Sequence, residues 1–281
     1  MTTLIIGGSG FLGTELIRQA AAAGQPTVAT YATEPGRAVQ VHWRHLDVRD
    51  PEQVDAVVAD VGAQVVVNAS SGQADWEVTA QGPVRVAMAT ARHGYRLVHV
   101  SSDAVFSGSR FHYDELSLPD PVTPYGAAKA AAETGVLLVH PRAVVARTSL
   151  IIGDGRSGRS GHSGHERTVH ELAAGVRDGC LFTDDIRCPV HVADLAAAIL
   201  ELAPTDAQGV HHLAGADALS RHELGTLIAE RDGIDASRLP TGLRAGSAFP
   251  GPLDVRLDSR ATQRKLRTTL RGARRFLAAQ V

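Results

Sequence analysis

Apolar residues in the first half of the chain fall in short, nearly unbroken runs: Thr3–Gly7, Thr27–Tyr31, Gln64–Asn68, Arg96–Ser101 and Arg142–Thr148. Longer stretches with helical periodicity separate them: Phe11–Ala23, Pro51–Val61, Gly82–His93 and Thr123–Val139. A strand with one face in water alternates apolar and polar positions, whereas a strand covered on both faces does not. Continuous apolar strands joined by helices therefore predict a parallel sheet. The punctuation agrees, with Gly24 and Gly94 closing two of the helices and Asp50 placed to cap a third ahead of Pro51. The expected fold is α/β: a doubly wound parallel sheet (Rossmann) over residues 1–150, with a smaller C-terminal substrate-binding part over residues 151–281. Ligands of such a sheet bind beyond the carboxyl ends of its strands.

The first strand-to-helix turn reads Gly7-Gly8-Ser9-Gly10-Phe11-Leu12-Gly13. It fits either Gly7-x-x-Gly10-x-x-Gly13 or Gly8-x-Gly10-x-x-Gly13. Either spacing lets backbone approach a pyrophosphate, and the N–H groups of Ser9, Gly10, Phe11 and Leu12 then face the anion at a helix N-terminus. Which dinucleotide binds depends on the end of the second strand. Tyr31 ends it, Glu34 lies slightly too far on for the acid that grips an adenosine ribose, and Arg37 is placed for a 2′-phosphate. NADP is the expected cofactor, with NAD the alternative. Asp47 and Val48, and then Asn68, Ala69 and Ser70, follow strands where adenine and ribose pass.

Composition narrows the partners. A net charge of −2 gives no pull toward nucleic acid or membrane. No apolar run reaches the roughly 20 residues of a membrane span, and no basic-then-apolar leader precedes the first strand. Cys180 and Cys188 are too few for a disulfide framework. A cytoplasmic enzyme of a small molecule is expected, and a homodimer is compatible with the sequence. Of the 28 basic residues only two are lysines, and one of them, Lys129, follows Tyr125 by four positions. On a helix that spacing puts both on one face. An ammonium there is expected to lower the phenol's pKa and make Tyr125 a proton donor and acceptor near neutral pH.

The glycine turn, Ser101-Ser102-Asp103, Tyr125-x-x-x-Lys129 and Arg147-Thr148-Ser149, in this order, resemble the extended short-chain dehydrogenase/reductase family. The resemblance is strongest to its sugar-nucleotide reductase branch. Val100–Gly108, Asp120–Lys129 with Glu133, Arg187–Leu195 and Leu257–Arg260 are similar to further motifs of that branch, so the likeness spans most of the chain. It implies Tyr125 as general acid toward a carbonyl oxygen, Lys129 on the nicotinamide ribose, Ser102 on the same carbonyl oxygen, and Ser101 beside the cofactor. Asp103 is implied in the substrate pocket, together with Ala104 and Leu150. Three features depart from the branch: Leu150 replaces a tryptophan, Ala104 replaces a tyrosine, and the Ser70–Val78 loop is short. All three lie on the substrate side. The activity implied is NAD(P)H-dependent reduction of a keto group, on a nucleotide-linked 4-keto-deoxysugar. The alternatives are a non-sugar carbonyl of a specialised pathway, an epimerase or dehydratase, and a non-catalytic nucleotide-binding subunit.

The second half holds less chemistry. Gly153–Gly164 is rich in Gly, Ser and Arg and is expected to be a loop, acting as a lid or without structure. His162, His165 and His170 lack the rigid frame of a zinc site, so no metal is expected. Arg260, Arg264, Arg267, Arg271 and Arg274 follow helical spacing opposite Leu266, Leu270 and Leu277, which predicts a solvated helix face. His191 is expected to pack or cap beside Asp194.

Overall fold

The computed structural model describes residues 1–155, 162–248 and 251–278. Two compact units share the chain. The first comprises Met1–Val105, Pro124–Arg147 and Ala196–His211; the second comprises Phe106–Thr123, Thr148–Leu195 and His212–Val281. Residues 151–281 were expected to mix sheet-completing segments with a small substrate-binding domain; Ala196–His211 falls in the first unit, and Phe106–Thr123, from before residue 150, falls in the second.

That sheet has seven strands. β1 (Thr3–Ile6), β2 (Thr27–Tyr31), β3 (His42–His45), β4 (Val65–Asn68), β5 (Arg96–Ser102) and β6 (Val144–Thr148) are joined by a last strand, Gly209–Leu213. From that last strand the order runs β6–β5–β4–β1–β2–β3, and the pairs β2–β3, β1–β2, β1–β4 and β4–β5 are parallel. β1, β4 and β6 are buried at every residue, as unbroken apolar runs require. Strand order reverses between β1 and β4, so the crevice where such sheets bind ligands opens beyond Ile6 and Asn68.

The helices follow the sequence closely: α1 (Phe11–Ala22), α2 (Pro51–Val61), α3 (Gly82–Arg92) and α4 (Pro124–Val139). Asp50 caps α2, accepting the N–H groups of Glu52 and Gln53 at 3.0 Å each. A π-helical turn, Glu77–Gln81, precedes α3 and was not evident in the sequence. Leu4, Ile6, Val66, Leu97 and Val145 of the strands pack in one cluster with Val54, Val57, Val58, Val86, Ala87 and Val136 of the helices.

The second unit contains α5 (Gly164–Ala173) and α6 (Arg221–Arg231), with most of its apolar core formed around them. Ser163 and Ser220 each close a capping box with the glutamate three residues on. The expected continuous arginine-striped C-terminal helix is not formed. Arg260–Gln263 and Ala273–Phe276 are separate four-residue helices. The Gln263 side chain takes the N–H of Leu270 at 2.9 Å and donates to the Thr268 carbonyl at 2.7 Å, which turns the chain where a helix would have continued. Of the expected Gly153–Gly164 loop, residues 156–161 lie outside the described residues.

The glycine turn determines how closely α1 approaches β1. Gly7 has φ of +80°, and a Cβ there would stand 2.8 Å from the Ser70 amide nitrogen. At Gly13 a Cβ would stand 2.2 Å from the Gly7 carbonyl oxygen, a backbone atom with nowhere to move. Gly13→Ala is therefore expected to cost about 1–3 kcal/mol in overpacking, read as a lowered Tm, whereas Gly246→Ala, where a Cβ meets open space, leaves Tm unchanged. Equal Tm values for the two variants would contradict this close packing.

Candidate active site

Side chains two apart on a strand share a face of the sheet. On the face that packs Val66, Leu97 and Val145 against helices, the next positions toward the carboxyl ends are Asn68, His99 with Ser101, and Arg147. α4 does the same along its own stripe, from Val136 back to Glu133 and Lys129. The apolar core thus gives way, at the carboxyl ends of the strands, to a buried polar layer beneath α4.

The Glu133 carboxylate is the anion of this layer. Arg147 grips Glu133 through Nε at 3.0 and 3.1 Å and through a terminal nitrogen at 2.8 Å, with both side chains 4% exposed or less. Ser101 donates its hydroxyl to the same carboxylate. Lys129, fully enclosed, donates from Nζ to the Val100 carbonyl at 3.0 Å. Burial lowers its pKa to about 8 against the upward pull of Glu133. His99 lies deeper still. Burial first, and then the nearby Lys129 charge, push it well below the ordinary histidine range, so it is neutral. Its Nδ1 stands 3.5 Å from the Asn68 amide, and its Nε2 has no partner.

Tyr125 sits one turn before Lys129 at the start of α4. Its hydroxyl lies within hydrogen-bonding reach of the hydroxyls of Ser102 and Ser71. Ser102 also donates to Asp103 at 3.3 Å and accepts the Ala104 N–H at 3.2 Å. Here the structure corrects the sequence. Instead of being lowered by Lys129, the Tyr125 pKa is raised, first by burial and then also by the Asp103 carboxylate, while the two serine hydroxyls oppose the rise. The physical reason is burial, and the Lys129 ammonium donates to a strand carbonyl.

Beside this group lies the point of strand-order reversal where such sheets bind ligands. α1 begins at Gly10, which has no side-chain cap, so its first N–H groups remain open beside the glycine turn where a Cβ would close the space. Ser9 and Gly10 are exposed, and Phe11 is partly so. Across the crevice, Asn68 is fully buried and takes the N–H and hydroxyl of Ser70 at 3.1 and 2.6 Å. Asp47 is held by Arg49 at 2.7 Å, and Val48 packs beneath Gly82. Tyr31 meets Trp43 edge-on. Arg37 is exposed on the loop after β2, which Trp43 anchors through its indole N–H to the Ala38 carbonyl at 2.9 Å. Every expected cofactor position lies in the first unit, on strand ends, on the loops that follow them or on the early turns of α1 and α4. Sequence reasoning passed over Ser71 and His99, whose partners become visible only when β4, β5 and α4 are packed. Glu133 and Arg147 were quoted as motif residues without a role.

Leu150, expected to face substrate, is 7% exposed and belongs to the apolar core of the second unit. That unit has its own polar centre. Asp185, fully buried, holds Arg187 at 3.0 Å, Arg221 at 3.2 Å and Arg244 at 2.9 Å. A cavity of about 160 Å³ beside it is lined by Phe182, Cys180, His165, Arg221 and Arg244, with the Arg244 guanidinium 4.1 Å above the Phe182 ring. His165 is lowered to about 3 by burial and then by Arg221, and so is neutral. The three histidines of the loop region therefore part company. His162 and His170 meet, ring centroids 4.9 Å apart, beside Asp232, which Arg231 and His170 each bind at 2.7 Å. His191 caps the following helix, accepting the Ala193 N–H at 3.2 Å, while Asp194 pairs with Arg271 at 2.8 Å.

Residues 1–279 match the family model for the RmlD substrate binding domain. The chain belongs to that family. It is 31% identical over 265 residues to a dTDP-4-dehydrorhamnose reductase of Mycobacterium tuberculosis, covering 89% of this chain and 81% of that one. In fold it is similar to the Bacillus anthracis dTDP-4-dehydrorhamnose reductase solved with NADP, at TM-score 0.80, 22% identity and coverage of 98% and 96%. It is also similar to the Thermus thermophilus UDP-glucose 4-epimerase solved with NAD, at TM-score 0.77, 20% identity and coverage of 100% of each chain. Among the described residues no helix is long and apolar enough to cross a membrane.

Lys129→Met tests the cost of the buried ammonium. The lysine is charged in the folded state below about pH 8 and in the unfolded state up to about 10.4. Burial therefore destabilises fully below 8, and the penalty fades as pH rises from 8 toward 10.4. The variant is expected to have a Tm equal to or above wild type at pH 7, with the difference narrowing toward pH 10. A variant less stable by the same amount across that range contradicts the account.

Proposed function

We propose that this protein reduces a keto group on a nucleotide-linked deoxysugar, with NADPH as its cofactor and Tyr125 as proton donor. The observation that carries the reading is Tyr125 with Ser102 at its hydroxyl and Lys129 buried one turn on, beside a glycine turn that admits a pyrophosphate. The relative of known name at 31% identity acts, by that name, on the same class of compound.

The backbone of Ser9, Gly10, Phe11, Leu12 and Gly13 would hold the pyrophosphate, and Arg37 the 2′-phosphate. Asp47 and Val48 would flank adenine; Tyr31, Asn68, Ala69 and Ser70 would line the rest of the path. When bound, the nicotinamide supplies the hydride. Tyr125 gives its hydroxyl proton to the carbonyl oxygen as that carbon is reduced, and Ser102 donates to the same oxygen, so the forming alkoxide never carries a full charge. Lys129 holds the nicotinamide ribose, and the grip of Glu133 on Arg147 and Ser101 fixes α4 against the sheet. Asp103 and Ala104 face the sugar.

A second reading is an epimerase that restores its own cofactor, the activity named for a fold neighbour solved with NAD. The two separate in one assay with dTDP-4-keto-6-deoxy sugars. Net oxidation of NADPH supports reduction; tightly co-purifying NAD with no net oxidation supports epimerisation. In the same assay Tyr125→Phe is expected to lose about 10²–10⁴-fold in turnover while NADPH affinity stays within a few-fold. Turnover near wild type in that variant removes Tyr125 from the chemistry.

A further inference from the structure

Within the second unit, the chain entering α5 meets the end of α6 at a group of three side chains. His162 stands just before Ser163, the residue that caps α5, and His170 lies within that helix. Asp232 is the C-cap of α6. His170 Nε2 is 2.7 Å from Asp232 Oδ2, and His162 Nε2 is 4.0 Å from the same oxygen. Each residue offers one atom that can ligate a metal, and these atoms lie within 4.8 Å of one another.

Spacing along the chain gives these histidines no rigid frame, but the fold supplies one. Glu166, fully buried, accepts the N–H groups of Gly153 at 2.9 Å and Ser163 at 2.6 Å, which fixes the start of α5 beside His162. Its other oxygen binds Arg231 at 2.8 Å. Arg231 in turn grips Asp232 through Nε at 2.7 Å and a terminal nitrogen at 2.8 Å. A carboxylate oriented by its own hydrogen-bond partners is what a metal site requires. Two carboxylates against one guanidinium also leave a negative charge in excess beside the histidines. His162 has no other task in sight. Its Nε2 is closed to water, faces Asp232 beyond hydrogen-bond distance, and has no hydrogen-bond partner among the described residues. His165 stands apart from the group, 3.3 Å from Arg221.

We propose that His162, His170 and Asp232 bind one divalent transition-metal ion of the zinc class, with water as the fourth ligand. Imidazole nitrogens select such ions over Mg²⁺ and Ca²⁺, which prefer oxygen ligands. A tetrahedral ion about 2.0–2.2 Å from each ligand sets the ligand atoms about 3.4 Å apart. That separation lies between the 2.7 and 4.0 Å observed from the two imidazoles to Asp232. The His170 side chain is 36% exposed, which gives the ion a path from solvent. On binding, His170 exchanges its Nε2 proton, now pointed at Asp232, for one on Nδ1 through solvent. Both Nε2 lone pairs and the freed carboxylate oxygen then reach the ion, and no electrons are transferred. The ion ties α5 to the end of α6 and so stabilises the folded second unit. The site is independent of the chemistry proposed for Tyr125.

The test titrates tag-free protein, stripped with EDTA, with Co²⁺, whose visible absorption reports the number and type of its ligands. The expected result is one Co²⁺ per chain with the strong d–d bands of a four-coordinate ion and no sulfur-to-cobalt charge transfer. Zn²⁺ is expected to displace it, Mg²⁺ is not, and Zn²⁺ raises the Tm. His162→Gln, His170→Gln and Asp232→Asn each weaken Zn²⁺ binding at least about 100-fold, the upper range for a residue that only supports a ligand, and abolish the rise in Tm. His42→Gln, at an exposed histidine of the first unit, changes neither. Because the His162 side chain makes no hydrogen bond among the described residues, His162→Gln keeps the wild-type Tm without metal, so binding lost there is not fold lost. No uptake of Co²⁺, a six-coordinate spectrum, or a sulfur band that places the ion on Cys180 or Cys188 overturns the proposal. So does binding that survives intact in His162→Gln and His170→Gln.

Discussion

One carboxylate holds the catalytic helix to the sheet. Glu133 receives Arg147 from β6 and Ser101 from β5, and its charge partly offsets the burial of Lys129. Two cations and one anion in a layer closed to water is a costly arrangement, tolerated where geometry is well satisfied and specificity matters more than stability. Here it fixes the rotation and height of α4 over the strand ends. Tyr125, at the first turn of that helix, inherits its position.

From this follows a division of tasks along one helix. The Val136 end of α4 packs into the apolar core, Glu133 and Lys129 form the polar layer, and Tyr125 reaches the crevice. The glycine turn sets the opposite wall of that crevice, because α1 can approach β1 only where Gly7 and Gly13 carry no side chain. Membership of the RmlD substrate binding domain family gives this geometry a consistent chemistry: a cofactor path across the strand ends and a phenol at its end.

Much of this was legible in the sequence. Unbroken apolar runs gave the parallel sheet, and Asp50, Gly24 and Gly94 marked helix ends to within a residue or two, since caps and periodicity are local signals. Tyr125, Lys129 and Ser102 could be named because they stand in fixed spacings. What sequence missed depends on contacts between distant segments. The raised phenol follows from burial and from the Asp103 carboxylate, neither of which a four-residue spacing reveals. The turn after β4 holds Gln73 at a positive φ that has no sequence signature. Leu150 was placed by motif at the substrate and is taken instead by the core of the second unit. The arginine-striped helix failed because its first piece stops at Gln263 and the second starts only after Gly272, although the periodicity runs on.

The proposed chemistry turns on the phenol of Tyr125 meeting the substrate oxygen. A crystal structure with NADP and the keto sugar, or its alcohol product, tests it most directly. The account predicts Tyr125 Oη and Ser102 Oγ both at hydrogen-bond distance, about 2.6–3.2 Å, from the same substrate oxygen, with Lys129 still beneath them. A substrate bound with its reacting oxygen on other side chains and Tyr125 out of reach would contradict it.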